Sequence, residues 1–265
     1  MDRAGLLKNC FKIWAVAGYD LKLPVIVVPV LEISSIPSWL HWLPSCPSTN
    51  SWAIARPSLK DGDVVFTPRQ TAGRGQHGRV WQSPPGVLTA SFVLDHLQRQ
   101  RMPALSVVAG LAVIYAVEDL TPVRCLAWKW PNDVYAQGRK LAGILCEAAA
   151  SSRVIIGIGL NLEATPIADR AISLQQLSQR VPQPLDLLDR LRHYLRQAAS
   201  FGDYASLLTQ LHDRDFLYGR WLTLQTGTST VVGHGAGVDN QGRLLVRLKN
   251  GIVQTFSAGR VVHWE

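Results

Sequence analysis

Apolar residues along this chain fall into short runs separated by polar segments that contain glycine and proline. Runs at residues 63–67, 87–94, 141–149 and 154–162 are rich in Val, Ile and Leu, which is typical of strands buried in a sheet. The longer apolar segment 103–120 begins with proline, which suits the first turn of a helix. The pattern therefore predicts a domain in which strands and helices are mixed.

Two later segments show helical periodicity, and one earlier segment resembles a strand that ends abruptly. Leucines recur at three- and four-residue spacing over residues 185–199 and 204–217, which predicts two amphipathic helices. Residues 124–130 have the composition of a strand. We expect Pro131 to end it, because proline cannot donate a hydrogen bond to a sheet ladder.

From about residue 218 the sequence changes to short β runs. Asp239-Asn240-Gln241-Gly242 and Asn250-Gly251 favour tight turns between strands. The predicted strands occupy residues 221–225, 230–238, 243–248, 252–256 and 261–264. These runs predict a small all-β barrel.

The chain is accordingly divided into an N-terminal extension of unassigned role (1–37), a main domain (38–217) and the C-terminal barrel (218–265). With 265 residues and 47% hydrophobic composition, the chain can bury a full core. The apolar run at residues 23–33 is too short to span a bilayer, so no membrane association is expected.

The composition favours one kind of cellular compartment, but it does not identify the binding partner or substrate. The formal net charge of +8 suits an acidic partner or substrate, whether nucleotide, acidic protein or nucleic acid. The four cysteines form no CxxC pair, which predicts buried thiols in a reducing compartment and a cytoplasmic location. Since no Cys/His cluster has zinc spacing, we expect no metal held by protein ligands alone.

Residues 73–81, GRGQHGRVW, carry the strongest chemical signal. Three glycines expose backbone N–H groups and allow positive φ angles without steric cost. Arg74 and Arg79 add planar, permanently charged groups that match phosphate and carboxylate oxygens. Trp81 closes the segment with a flat apolar face. The combination predicts a loop that encloses an anionic, planar ligand such as a nucleotide.

Two further clusters place polar side chains beside predicted strands. In KWPND, residues 129–133, the strand delivers Lys129 to the sheet edge and leaves Asn132 and Asp133 at its end, although an ordinary turn would also explain Pro-Asn-Asp. In GRKLAGIL, Lys140 lies where the chain turns into an apolar strand. A partly desolvated ammonium there could act on a phosphoryl oxygen, or it could simply be solvated.

Glycines and small polar residues complete the candidate site. Gly143 would let a flat group approach the backbone closely. GIGLNL, residues 157–162, lacks the third glycine and the following helix of a dinucleotide fingerprint, and instead suits a ligand lying against a strand. Pro47-Ser48-Thr49-Asn50 is either a helix N-cap or a set of hydroxyl and amide groups that also bond a polar ligand.

In this order, the clusters resemble the biotin protein ligase family over residues 38–265. The resemblance implies an α+β fold, with a mixed-sheet catalytic domain of the biotin/lipoyl ligase type and a small C-terminal SH3-like β barrel. The stretch before Ser48 is too short for the winged helix of members that repress transcription, so the ligase-only type is expected. We expect a monomer or homodimer without a nucleic-acid partner.

The implied reaction has two steps. ATP, accompanied by Mg²⁺, activates biotin as biotinyl-5′-AMP, and the biotinyl group then passes to a lysine of a biotin carboxyl carrier protein of acetyl-CoA carboxylase. The acceptor brings the nucleophile. A catalytic Ser, Cys or His arrangement is therefore not required.

The resemblance also implies which residues act. Arg74, at the biotin carboxylate and the α-phosphate, and Lys140, at the reacting groups, are expected to be catalytic. The residues expected at biotin are Ser48, Thr49, Asn50, Gln70, Gly73, Arg74, Gly143, Ile144, Gly157 and Gly159. Those expected on the nucleotide side are Gln76, Arg79, Trp81 (near the adenine), Lys129, Asn132, Lys140 and Asn161. Gln76 stands where many members carry a second arginine, which leaves less charge to hold the adenylate.

Two alternatives remain open. A lipoate or octanoate ligase or transferase would share the fold and the transfer of an acyl group to lysine. A basic nucleic-acid-binding module would fit the charge of +8 and a terminal β barrel, although the barrel shows no run of aromatic residues for stacking.

Overall fold

The computed structural model describes residues 36–95, 102–149, 152–163, 170–200, 211–227 and 229–265. The predicted extension 1–37 thus lies almost wholly outside the described residues, and so does most of the predicted helix 204–217. The described end of that helix is a 3₁₀ turn, His212–Arg214, followed by turns. The helix prediction is therefore wrong for residues 215–217.

The main domain contains seven strands and four α-helices among the described residues. The strands are β1 (Leu40–Trp42), β2 (Val64–Thr67), β3 (Val87–Leu94), β4 (Ala127–Lys129), β5 (Asp133–Ala136), β6 (Arg139–Ala148) and β7 (Val154–Asn161). The helices are α1 (Thr49–Ile54), α2 (Met102–Leu120), α3 (Leu174–Leu177) and α4 (Pro184–Ser200). The strands form one sheet in the order β1-β2-β3-β7-β6-β5-β4, parallel only between β1 and β2.

One face of this sheet packs against helices α2 and α4 and is called the core face. Alternate residues of β3, β6 and β7 supply its side chains, including Phe92, Ile144, Ile156 and Ile158, which are all buried. The leucines of α4 meet them there, as their spacing predicted. Burial of these side chains from water is the main stabilising contribution of this layer.

The opposite face, called the open face, is made from the intervening residues of the same strands. Directly paired residues form a row of Thr67, Thr89, Gly159, Gly143, Asp133 and Lys129 across six strands. Helix α1 covers only one end of this face, where Ala53 packs against Val65, Val93 and Ile155. The glycine positions are therefore left for other groups to approach.

The predicted strand 124–130 begins only at Ala127. Cys125 adopts a left-handed conformation, with φ of +61°, and Arg124 turns back to donate to carbonyl oxygens at the end of α2. Beyond the predicted end, the chain forms the β5–β6 hairpin, whose turn residues Gln137 and Gly138 both have positive φ. This is the geometry of a tight hairpin turn, although Gln-Gly is a weaker signal than Asn-Gly.

The C-terminal segment forms a separate antiparallel sheet. Its strands are β8 (Trp221–Thr226), β9 (Ser229–Val238), β10 (Leu244–Arg247), β11 (Val253–Phe256) and β12 (Arg260–Trp264), in the order β11-β10-β9-β8-β12. All five predicted strands are present. The indole of Trp130 donates to the carbonyl of Gly242 at 3.3 Å and so joins this sheet to the main domain.

Within the described part of the chain, no helix is both long and apolar enough to cross a membrane. Cys46, Cys125 and Cys146 are free thiols, of which Cys46 is buried, Cys146 is half-buried and Cys125 is exposed. The prediction of buried thiols is therefore wrong for Cys125, which lies in the loop before β4.

Candidate active site

A pocket open to solvent lies on the open face between the sheet, the start of α1 and the loop 73–81. It collects residues from segments far apart in the sequence. Its lining comprises Ser48, Thr49, Asn50, Gln70, Arg74, Gly75, Gln76, Arg79, Val80, Trp81, Thr89, Ala90, Asn132, Lys140, Gly143, Ile144, Leu145, Gly157, Ile158 and Gly159. All predicted site residues except Gly73, Lys129 and Asn161 are in this set.

The polar end of the pocket is a connected hydrogen-bond network. Gln70 Oε1 accepts from the backbone N–H of Thr49 at 2.7 Å and from its hydroxyl at 3.1 Å. Ser91 Oγ lies 2.7 Å from Thr49 Oγ1 and 2.5 Å from Asn50 Oδ1. Ser48 Oγ accepts from a backbone N–H of the first turn of α1. The Ser-Thr-Asn segment therefore begins a helix, as one interpretation predicted, and it also lines the pocket. That its hydroxyl and amide groups bond a ligand stays a prediction.

The loop 73–81 folds as a small hairpin over the open face. The N–H of Trp81 donates to Gly73 O at 3.0 Å, and that of Gly75 donates to Arg79 O at 2.7 Å. At its tip Gly78 has positive φ, as the glycine-rich composition allows, and the preceding His77 also has positive φ although it is not a glycine. The hairpin carries two arginines and the indole to the pocket.

The indole of Trp81 lies directly against the glycines of the sheet. A Cβ at Gly159 would collide with the six-membered ring, and one at Gly143 would be 3.0 Å from Cζ3. At Gly157 the Asn50 amide occupies the space that a side chain would take, because its Oδ1 would be 2.5 Å from an added Cβ. The indole Nε1 is buried against the backbone of Gly159, and no hydrogen-bond partner for it is found among the described residues.

The two predicted catalytic cations each pair with a carboxylate. Arg74 Nη2 lies 2.7 Å from Glu147 Oε2, and Lys140 Nζ lies 2.5 Å from Asp133 Oδ1. The Lys140 ammonium also lies 5.5 Å from the centre of the Trp81 ring, over the bare backbone of Gly143. Two cationic groups thus stand at one pocket, which suits anionic ligands.

Three predicted residues lie beside the pocket and do not line it. Gly73 is at the base of the hairpin, where an added Cβ would collide with the Trp81 carbonyl. Asn161 Nδ2 donates to Ile172 O at 3.0 Å and holds the segment after β7. Lys129 turns toward the C-terminal sheet, and its ammonium lies 4.4 Å from the Trp264 ring centre. Their predicted ligand contacts remain predictions.

Lys129 has an unusual electrostatic environment. It is only 6% exposed, and burial lowers the pKa of its ammonium to about 8. The Asp133 carboxylate opposes this shift, whereas Lys140 and Arg79 add to it. An ammonium with this pKa is charged in most molecules at pH 7 and loses its charge in mildly alkaline solution.

Two of the predicted site residues, Asn132 and Ile144, are hydrogen-bonded to each other. Asn132 Nδ2 donates to Ile144 O at 2.6 Å, and Asn132 O accepts from Ile144 N at 2.9 Å. The Ile144 side chain belongs to the core face, although the residue also lines the pocket. This reciprocal pair fixes the loop after β4 against β6.

Sequence reasoning overlooked several residues at or beside the pocket. They include Thr89 and Leu145 in the lining, Ser91 in the network beneath it, and Glu147 at its edge. The period-two alternation of β3 and β6 could have identified them, because each faces the same side as a predicted glycine or hydroxyl. Glu147 is also the only acidic residue of β6.

Comparison with known proteins shows which protein family this chain resembles. Residues 42–161 match the biotin/lipoate A/B protein ligase family, and residues 219–264 match the biotin protein ligase C-terminal domain. The biotin--[acetyl-CoA-carboxylase] ligase of Mycobacterium tuberculosis is 35% identical over 82% of this chain and 85% of that protein. The protein of the same name from Paracoccus denitrificans is 33% identical over 76% of this chain and 90% of that protein.

Solved structures of biotin protein ligases are also similar to this chain. Biotin protein ligase from Aquifex aeolicus in complex with biotin and ATP matches with a TM-score of 0.73 and 28% identity, covering 85% of this chain and 98% of that chain. The Leishmania major enzyme in complex with biotinyl-5-AMP matches with a TM-score of 0.59 and 25% identity, covering 84% and 100%. The chain belongs to the biotin/lipoate A/B protein ligase family. The resemblance to biotin protein ligases drawn from the sequence motifs is confirmed.

Proposed function

We propose that this chain activates biotin with ATP and transfers the biotinyl group to a lysine of a carrier protein, at the pocket on the open face. One observation carries the proposal. Arg74 and Lys140, which are far apart in the sequence, meet at a pocket that also holds the Ser-Thr-Asn segment and the glycines of β6 and β7. The bicyclic ring of biotin would lie at the polar end, near Thr49 and Gln70.

In the first step the biotin carboxylate attacks the α-phosphorus of ATP. A bond forms between them, the bond to pyrophosphate breaks, and biotinyl-5′-AMP results. Both reactants are anions, so the site must offset their repulsion where the new bond forms. Arg74 would hold the carboxylate and the α-phosphate together, and Lys140 would stabilise the charge that develops on the phosphoryl oxygens. Arg79 would add charge on the nucleotide side.

In the second step the amine of the acceptor lysine attacks the mixed anhydride and AMP leaves. Water competes for the same carbonyl carbon. The hairpin 73–81 already lies over the sheet, and we propose that it encloses the adenylate until the acceptor arrives.

We propose that ATP enters as its Mg²⁺ complex. Within the described ranges, no three His, Cys, Asp or Glu side chains are grouped as a metal site. The ion would therefore be held mainly by phosphate oxygens and water, and it would reduce the repulsion between ATP and biotin.

The acceptor we propose is the biotin carboxyl carrier protein of acetyl-CoA carboxylase, because two relatives are named for that enzyme. We further propose that residues 218–265 curl into an SH3-like barrel beside the catalytic domain, 38–217. The return of the last strand, β12, to pair with the first strand, β8, supports this proposal. A cytoplasmic location, the monomer-or-homodimer state and the absence of a nucleic-acid partner remain predictions.

The decisive experiment mixes the purified protein with ATP, Mg²⁺, biotin and a carrier domain, and measures the carrier's mass. We expect the mass of one biotinyl group to be added, and no addition when ATP is omitted or the acceptor lysine is changed to arginine. Lipoate in place of biotin tests the main alternative. Transfer of a lipoyl group, with no transfer of biotin, would contradict the proposal.

A further inference from the structure

Glu147 is not part of the pocket lining, yet it is bonded to one of the two cations that the proposed reaction uses. It lies near the end of β6 on the open face, with a side chain that is 23% exposed. Its Oε2 accepts from Arg74 Nη2 at 2.7 Å and from Asn50 Nδ2 at 2.8 Å. One carboxylate oxygen thus joins the loop to the sheet.

The Asn50 side chain that donates to Glu147 is itself held on three sides. It is 3% exposed, and its Nδ2 also donates to Leu145 O at 3.1 Å. Its Oδ1 lies 2.5 Å from Ser91 Oγ and rests on the bare backbone of Gly157. Because Asn50 cannot move freely, it fixes the position of the Glu147 carboxylate. A continuous chain of hydrogen bonds therefore runs from the sheet to Arg74.

An exposed ion pair by itself contributes little. This pair differs because its acidic partner is immobilised by a buried amide, whereas its basic partner belongs to a glycine-rich hairpin that must carry its guanidinium to the pocket. Arginine has five N–H donors, and the bond to Glu147 uses one. The remaining donors are available to ligand anions while the bond to Glu147 is kept.

We propose that Glu147 is a positioning residue for the adenylation step. It holds the Arg74 guanidinium at the pocket so that the free N–H groups meet the biotin carboxylate and the α-phosphate. The inference rests on the proposed role of Arg74. Glu147 itself touches neither substrate, and it acts only through the arginine.

The test compares Glu147→Ala and Glu147→Gln, each alone and together with Arg74→Ala. Biotin-dependent exchange of pyrophosphate into ATP gives kcat/KM for biotin. We expect Glu147→Ala to lower it about tenfold, the effect of losing one charge-assisted hydrogen bond. Glu147→Gln keeps an acceptor oxygen and should recover part of the loss. In the Arg74→Ala background, Glu147→Ala should change the rate less than about twofold, because the two residues act as a unit.

A second measurement does not depend on activity. Trypsin cleavage after Arg79, followed by mass spectrometry without ligands, reports how firmly the hairpin is held. Glu147→Ala should accelerate this cleavage, whereas Glu147→Gln should accelerate it less. Asp119→Ala is the control, since it removes a more exposed carboxylate that pairs with Arg190 and accepts from the Tyr194 hydroxyl away from the pocket, and it should change neither measurement.

A full Glu147→Ala defect in the Arg74→Ala background would overturn the inference, as would unchanged kinetics and cleavage in Glu147→Ala. The proposed function fails differently, because the unmodified protein would then show no biotin-dependent exchange at all. Accelerated cleavage in Glu147→Ala would still support the positioning of Arg74 in that case.

Discussion

The core face and the open face of the main sheet are built from alternate residues of the same strands. On β7 the core face receives Ile156 and Ile158, and the open face receives Gly157 and Gly159. The first pair is fully buried among apolar side chains of two helices. The second pair has no side chains, and the indole and amide of other segments occupy the space above it.

The two faces are therefore stabilised by different interactions. The core face depends on apolar burial, which tolerates similar side chains of similar volume. The open face depends on hydrogen bonds and on ion pairs such as Lys140 with Asp133, which are directional and need specific partners. Substitutions on the core face should mainly change stability, whereas substitutions on the open face should mainly change ligand binding and catalysis.

The largest expected effect on the open face comes from Lys140. Lys140→Ala removes an ammonium from the pocket and leaves Asp133 without its partner. We expect biotin-dependent pyrophosphate exchange to fall by about 10² or more, the scale seen when one preorganised electrostatic group is lost. Arg139→Ala is the control, because it removes the neighbouring cation, which does not line the pocket. Near-normal exchange in Lys140→Ala would remove this residue from the proposed mechanism.

Two residues of β7, one on each face, directly test whether the core face and the open face have different roles. Gly159→Ala places a methyl group where the Trp81 ring lies, and we expect biotin binding to weaken at least about tenfold from this overpacking. Ile156→Ala instead leaves a cavity in the core face, at a buried residue that does not line the pocket, and should lower stability by about 2–5 kcal/mol. Calorimetric titration and thermal unfolding measure the two effects. Equal losses of binding in both folded variants would contradict the division between faces.

Lys129 tests whether burial of a charge near the open face affects the pH dependence. Its pKa of about 8 means that the ammonium is neutralised above that pH. We expect kcat/KM for MgATP to fall about tenfold between pH 7 and pH 9. Lys129→Arg should remove this fall, because a guanidinium stays charged. Persistence of the same alkaline limb in Lys129→Arg would assign it to another group.

The same residue affects stability with a defined sign. The pKa of Lys129 is lower in the folded protein than its ordinary value of 10.5, so between about pH 8 and 10.5 the unfolded chain binds more protons. Stability contributed by this residue should therefore rise with pH over that window. Lys129→Met should raise the melting temperature at pH 7, and the difference from the unmodified protein should shrink toward pH 10.5.

The core face was largely predictable because its signal is local. Apolar runs predicted β2, β3, β6 and β7, and the leucine spacing predicted α4. Strands β1 and β5 were not predicted. Each is short, and β1 owes its place to parallel pairing with β2, which lies more than twenty residues further along the chain. No local pattern reports such a partner.

The sequence predicted many of the residues that belong to the open face, but it did not predict which side chains contact one another there. The motifs identified Arg74, Lys140 and the glycines, but they did not show that Glu147 bonds Arg74 or that Lys129 turns toward Trp264. These contacts join residues between 73 and 135 positions apart. They depend on sheet register and on docking of the C-terminal sheet, which single-sequence periodicity does not contain.

The smallest expected effect concerns the hairpin that covers the open face. Gln76 lines the pocket with a neutral amide. Gln76→Arg would replace a neutral hydrogen bond with a charge-assisted one, a gain of about 1 kcal/mol, so biotinyl-5′-AMP should leave about fivefold more slowly. The measurement is the rate at which adenylate preformed on the protein appears in solution.

The neighbouring residue supplies the control for this last effect. His77 is at the tip of the same hairpin and is absent from the pocket lining, so His77→Arg adds a permanent charge to the loop without adding it to the site. If general attraction to the hairpin governed retention, both variants would slow release alike. Retention by local contact requires slower release in Gln76→Arg only. Equal rates in Gln76→Arg and the unmodified protein would show that the neutral amide at this position already suffices.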